Sequence, residues 1–355
     1  MRENCLFERL KGNGIDSIKG LLIILIVLAH NQILCEEFIG LRKLYYFHVA
    51  SFLVLGVVLN NTPIDLTFVK NRIFRYLVPF FIFLLFYSIV FCFFENIPTK
   101  DALVNFGKSI IFGNFLTIKS ASGFRLLWFL PCLLSLIVLH SIWLKNSRLA
   151  IICIMLLCIL NFVFIDKLDP QFNLYGIFTA FYFLPAALLI RYIMLKVAFS
   201  LRHMLFLLIG VLLSFYFFDS AYTIIQPGLP KLYGISQLDS FIWYHCFFPF
   251  WVLTFFSSSL IFKNRLFSSI GKYSLLIYLL HQPIQIIMIM FVSRISSFAN
   301  GINGLMSALF AIMLAWLLAF VLSKNIHISA LILPRNYVSW KQGISYYMDK
   351  FKRGV

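Results

Sequence analysis

Apolar residues run along this chain in stretches of about twenty, parted by short polar segments. The pattern neither alternates residue by residue, as a half-buried strand does, nor keeps to one helical stripe. A helix that crosses a hydrocarbon layer of about 30 Å needs roughly 20 mostly apolar residues. Ten stretches meet that requirement: residues 18–38, 44–60, 74–94, 125–144, 148–165, 173–194, 201–219, 240–262, 271–293 and 302–323. The expected fold is all-α, a polytopic transmembrane helix bundle of about ten spans. These spans form one transmembrane domain over residues 1–323, and a basic tail follows over 324–355. The second stretch is short, and only "KNSR" separates the fourth from the fifth.

Composition agrees with that pattern. Of the 355 residues 61% are hydrophobic and 12% charged, against about 25% charged in a soluble domain. A formal charge of +17 would suit nucleic acid, but the basic residues cluster between apolar stretches instead of covering one polar face. They report topology, and nucleic acid is not an expected partner. With alternate connections on opposite sides and the N-terminus cytoplasmic, Lys and Arg divide 21 inside to 9 outside, while the acidic residues divide 5 to 8. Basic residues stay on the cytoplasmic side, so both termini are expected there. No small-residue cleavage site follows the first apolar run, which is therefore expected to remain as a membrane helix.

The connections add detail. Residues 95–124 contain "KDALVNFGKSIIFGNFL", whose apolar positions suit an interfacial helix. Residues 220–239 read as a loop, broken by Pro227, Gly228 and Pro230. The tail carries Lys341, Lys350, Lys352 and Arg353 beside Tyr337, Trp340, Tyr346 and Tyr347, a composition suited to a membrane surface. Cys92, Cys132, Cys153, Cys158 and Cys246 fall inside apolar stretches with no metal-ligand spacing, and read as small apolar side chains. No metal is expected.

Ionisable side chains inside a span are costly and mark function by default. Eleven residues separate Lys19 from His30, three helical turns plus about 20°, so both lie on one face about 16 Å apart along the axis. Asp16 lies within about 40° of the same face. His48, twelve residues before Asn60, falls about 18 Å above the inner edge. His281 falls about 13 Å above it, nine residues beyond Lys272, with Tyr278 one turn below. Three histidines from three spans thus share a depth, although depth leaves helix rotation open. Each one alone could equally be a bundle histidine satisfied by a hydrogen bond.

At the inner edge of the third span, "KNRIFRYLVPFF" places Arg72 and Arg75 at i, i+3, beside Lys70. Two guanidinium forks on one face suit phosphate oxygens. By composition alone they read as an ordinary positive-inside flank.

In this order, "IDSIKGLLIILIVLAH", "FHVASFLVLG", "NRIFRYLVPFF", "LWFLPCL" (with Trp128) and "IGKYSLLIYLLHQP" resemble the blocks of the integral-membrane acyltransferase family three, which includes bacterial O-acetyltransferases of surface polysaccharides. The resemblance covers most of the chain. It implies a multi-pass protein of the bacterial inner membrane that takes an acyl group from cytoplasmic acyl-CoA, acetyl by family frequency, and delivers it to a hydroxyl of a sugar or polysaccharide. Lys19 and His30 fill the family's basic-x10-His pattern, and Arg72 with Arg75 fills the RxxR pattern that holds the CoA phosphates. Two departures stand out. Ala50 occupies a position that is commonly proline, which implies a straighter second helix and puts a role for His48 in doubt. Lys19 replaces a common arginine, giving a point contact in place of a fork.

On that reading His30 is the general base toward the acceptor hydroxyl, or forms an acyl-histidine. Lys19, Arg72 and Arg75 hold the phosphates, Asp16 pairs with Lys19, and His281 with Tyr278 stabilises the oxyanion or positions the acceptor. His48 and Trp128 are supporting residues. Two other classes compete. A flippase or transporter of lipid-linked glycans would call for broken helices or related halves, and the sequence displays neither. A polysaccharide polymerase would call for a large, charged external loop.

Overall fold

A computed structural model describes residues 5–38, 41, 47–124, 126–152, 155–156, 174–197, 200–217, 242–259, 264–295 and 300–352. The loop expected at 220–239, most of the fifth stretch, and Cys153 and Cys158 lie outside the described residues. The regular elements among the described residues are helices. In chain order they are α1 Leu6–Leu10, α2 Asn13–Ala29, α3 Gln32–Glu37, α4 His48–Leu59, α5 Leu66–Glu95, α6 Thr99–Phe112, α7 Phe115–Ser122 and α8 Phe129–Lys145. There follow α9 Ile177–Lys196, α10 Leu201–Phe217, α11 Phe248–Ser258, α12 Arg265–Lys272, α13 Ser274–Ile295, α14 Asn300–Lys324, α15 Ile326–Ile332 and α16 Tyr337–Lys352.

Four helices are long and apolar enough to cross a membrane: Leu66–Glu95, Leu126–Lys145, Ser274–Val292 and Gly301–Lys324. Their surfaces fit that use. On α5, Phe80, Leu84 and Tyr87 are buried while Phe86, Ile89, Phe93 and Phe94 are exposed. A helix that is apolar on its outer as well as its inner face has lipid for solvent.

Several boundaries differ from the hydropathy pattern. The third span does not start at 74: Asp65 caps α5 by accepting the Phe68 N–H, which makes residues 66–73 helical and puts Lys70 and Arg72 on the same helix as Arg75. A hydropathy scan overlooks polar helical turns that lie outside the hydrocarbon. The ninth stretch is divided at Tyr273 into the short α12 and the long α13. The first is divided too, at His30 and Asn31. Residues 95–124 form two helices, α6 and α7, tied by the Ser109 hydroxyl donating to the Thr117 carbonyl at 2.7 Å.

The chain divides into two compact units. The first, Met1–Leu59 with Phe183–Ala319, is centred on α2, whose Ile18, Leu22, Ile23, Ile26 and Val27 are fully buried. Glycines set its closest packing. At Gly20 and Gly271 a side chain would run into the backbones of Phe267 and Asp16 respectively, so α2 and α12 meet backbone to backbone, an approach that only small residues permit. In the same unit Arg191 donates to the carbonyls of Val57 and Val58 at 2.9 and 2.7 Å. That places a cation on the orphan carbonyls at the end of α4.

The second unit is Asn60–Tyr182 with Phe320–Val355. Here α5 packs with α7 and α8, and Asn60 donates to Ser141 Oγ at 2.8 Å beside the His140 ring. The C-terminal residues are folded into this unit. Phe74 of α5 meets the rings of Tyr337 and Trp340 at 4.9 and 4.8 Å between centroids.

Candidate active site

The site in the first unit is built on the end of α2. A helix leaves its last four carbonyls without internal partners, and in a buried setting each needs one. Here each has one. Ile26 O accepts from the His30 N–H at 3.0 Å, Val27 O from Gln285 Nε2 at 3.0 Å, Leu28 O from the Asn31 N–H at 3.2 Å, and Ala29 O from Cys35 Sγ at 3.0 Å. Asn31, itself buried, then restarts the helix. Its Oδ1 accepts the Leu34 N–H at 3.0 Å, and its Nδ2 donates to Gly304 O at 2.9 Å and Ser307 Oγ at 2.8 Å. The first apolar stretch is thus a broken helix, held by amide side chains and by the tight approach of Gly304 to Leu34.

Substituting Asn31 tests that arrangement. Asn31→Ala takes the side-chain acceptor from the Leu34 N–H and removes both donor contacts to Gly304 O and Ser307 Oγ, and is expected to cost about 2 kcal/mol. The measurement is the thermal unfolding midpoint in detergent. An unchanged midpoint would show that the break does not depend on this side chain.

His30 is the C-cap of α2, with φ −86° and ψ −1°, so the helical arithmetic that puts it on the Lys19 face holds up to its own position. Its Nδ1 lies 2.8 Å from Ile26 O. A carbonyl only accepts, so Nδ1 carries the proton and Nε2 of the neutral ring keeps the lone pair. His281 is fixed in the same way, with Nδ1 2.6 Å from Tyr278 O. The three histidines predicted at one depth do meet: the His30 ring centroid is 6.1 Å from that of His48 and 5.3 Å from that of His281. His48 and His281 are completely buried, whereas His30 is only partly covered. Tyr278 is buried one turn below His281, with 5.7 Å between ring centroids. No group of three His, Cys, Asp or Glu side chains among the described residues converges in a way that could hold a metal ion.

The other expected residues fall as follows. Lys19 and Asp16 form an ion pair at 3.0 Å near the start of α2. Trp128 belongs to the second unit, in the 3₁₀ turn that leads into α8. Also in the second unit, Arg72 and Arg75 are one helical turn apart on α5, but their surroundings differ. The Arg72 guanidinium lies 4.9 Å from the Phe68 ring centroid and Arg75 lies 5.8 Å from that of Tyr76. Arg72 lines a cavity of about 340 Å³, with Asp65, Asn71, Arg335 and Asn336 among its other walls; Arg75 is not among the lining residues. Lys70 stands 3.5 Å above the Tyr337 ring.

Sequence reasoning missed Asn31, Gln285 and Arg335. A signal existed for the first two, because amides inside apolar stretches carry the same kind of cost as the histidines, and Gln285 lies four residues after His281 on one helix face. For Arg335 there was none, since only the fold of the tail brings it to α5.

A family model described as an acyltransferase domain matches residues 13–324. That span includes His30, His48, Arg72, Arg75 and His281. No curated protein and no solved structure matches the chain.

Proposed function

The chain belongs to acyltransferase family three, and from that premise we propose that this membrane acyltransferase moves an acyl group, acetyl by expectation, from cytoplasmic acyl-CoA to a hydroxyl of a cell-surface polysaccharide or its lipid-linked precursor. The proposed setting is a bacterial inner membrane crossed about ten times, with both termini cytoplasmic. The observation that carries the reading is the His30 ring: its tautomer is set by Ile26 O, it is partly accessible, and it stands at the end of α2 against a second, buried histidine.

In the proposed reaction His30 Nε2 removes the proton of the acceptor hydroxyl as its oxygen attacks the thioester carbon. The tetrahedral intermediate collapses, the C–S bond breaks, and the proton passes from His30 to the departing thiolate. Acyl ester and free CoA result. A base placed in this way contributes about 10² to 10⁴ in rate. His281 has the same tautomer, so its neutral Nε2 can accept a hydrogen bond but cannot donate one. Of its two expected roles, that chemistry supports positioning the acceptor hydroxyl over stabilising the oxyanion. The phosphates stay with basic side chains at the membrane surface: Arg72 and Arg75 on α5, with Lys19, neutralised in part by Asp16, as a further cation.

Vesicles carrying the purified protein, given radiolabelled acetyl-CoA and membrane glycolipid, are expected to transfer label to the glycan. NMR of the cell-surface polysaccharide is expected to lose an ester acyl signal when the gene is removed. No label on any acceptor, together with an unchanged polysaccharide spectrum, would sink the reading. Within it, Arg72→Ala is expected to raise KM for acyl-CoA about tenfold with little change in kcat, because a charge-assisted phosphate contact is lost. An unchanged KM in the Arg72→Ala, Arg75→Ala double variant would remove both arginines from the donor site.

A further inference from the structure

The cavity beside Arg72 has a second arginine in its wall, and that arginine comes from the tail. We propose that Arg335 and the turn around it form, with Arg72, a clamp for the phosphorylated nucleotide end of the acyl-CoA. The proposal rests on the acyl-CoA reading above and adds the C-terminal segment to the donor site.

Placement of Arg335 follows from three contacts of its neighbour Tyr337. The Tyr337 N–H donates to Asn71 Oδ1 at 3.3 Å, Lys70 Nζ stands 3.5 Å over its ring, and Phe74 meets that ring edge to face at 4.9 Å. Asn71, Lys70 and Phe74 all belong to α5, so the start of α16 is fastened to the turns that carry Arg72. Pro334, buried just before, restricts the chain on the other side. Between these anchors Arg335 is exposed and lines the cavity with Arg72.

The cavity walls favour an anion. Asp65 is the N-cap of α5, and Asn336 accepts the Ser339 N–H at 2.8 Å at the start of α16. Both helix starts at this cavity are thus already capped, and the two arginines in its wall, Arg72 and Arg335, are its cationic residues; guanidinium groups suit phosphate oxygens. Among the described residues that line the cavity Asp65 is the one acidic group, and it accepts the Phe68 N–H, so part of its charge is spent on the helix it caps. A volume of about 340 Å³ lies at the lower end of the range that takes small-molecule ligands. Guanidinium forks from two separate segments can grip phosphates on different sides, which two residues one turn apart on a single helix cannot.

The test measures binding to the full-length protein in phosphatidylcholine nanodiscs, with coenzyme A, dephospho-coenzyme A and pantetheine as probes. Arg335→Gln is expected to weaken coenzyme A binding about fivefold or more and to leave pantetheine, which has no phosphate, unchanged. Arg335→Lys is expected to restore part of the loss, since it returns the charge without the fork. If the wild type binds coenzyme A and Arg335→Gln binds it equally well, the clamp is wrong and the acyl-CoA reading survives. If the wild type binds no coenzyme A, both fall. An anionic lipid headgroup offers the same phosphate chemistry, so binding is repeated in discs containing phosphatidylglycerol. The advantage of the wild type over Arg335→Gln is expected to persist there, and its disappearance would overturn the proposal in favour of the lipid.

Discussion

Alanine in place of His30 is expected to lower acyl transfer by about 10² to 10⁴, the contribution of a positioned base, without unfolding the protein. The geometry separates the two effects. The His30 ring is bonded to Ile26 O, and that carbonyl also accepts the backbone N–H of residue 30. Removing the ring therefore does not orphan this carbonyl, and Asn31 still holds the break. Purified His30→Ala protein should elute as a single species and melt near the wild type, yet give almost no labelled ester with radiolabelled acetyl-CoA. Full transfer would exclude His30 from the chemistry. The acyl-histidine alternative separates in the wild type: with donor and no acceptor, a covalent label retained through denaturation and lost in His30→Ala would favour it over the general base.

The largest structural effect is expected at Gly20. A methyl group there would collide with the Phe267 carbonyl, which is backbone and cannot swing aside; Gly271 presents the same obstacle against Asp16. α2 and α12 would have to separate along the contact on which the Ser17 hydroxyl reaches Asn264 O. Gly20→Ala is expected to cost about 3 kcal/mol, the upper part of the overpacking range, read as a fall in the thermal midpoint and in the yield of folded protein. Gly107→Ala is the control. Nothing lies near a methyl group at that helical position, so the change should be neutral or slightly stabilising. Equal behaviour of the two variants would mean that α2 and α12 do not pack backbone to backbone.

Much of the candidate site is legible in the amino-acid sequence, because the information lies within single helices. Helical repeat and span limits give His30, His48 and His281 one depth, and the other two rings do lie within 6.1 Å of His30. The i, i+3 spacing of Asp16 and Lys19 gives their ion pair. The break at His30 is not legible. It involves neither proline nor glycine at that point of the first apolar stretch, but depends on Asn31 reaching Gly304 and Ser307, 273 and 276 residues away, and on Gln285 reaching Val27 O.

The amino-acid order alone was enough to set the helical class of this protein, the apolar outer surface of its long helices, and which polar residues share a helix face. Hydrocarbon excludes unpaired backbone and charge, and that constraint acts on each segment separately. Folding in three dimensions settled the rest: which helices touch, which tautomer His30 and His281 hold, where the first apolar stretch breaks, and that the tail carries Arg335 to the cavity of Arg72. Those outcomes depend on contacts between distant segments, where glycine backbones, carbonyl oxygens and amide side chains find partners that no local periodicity encodes.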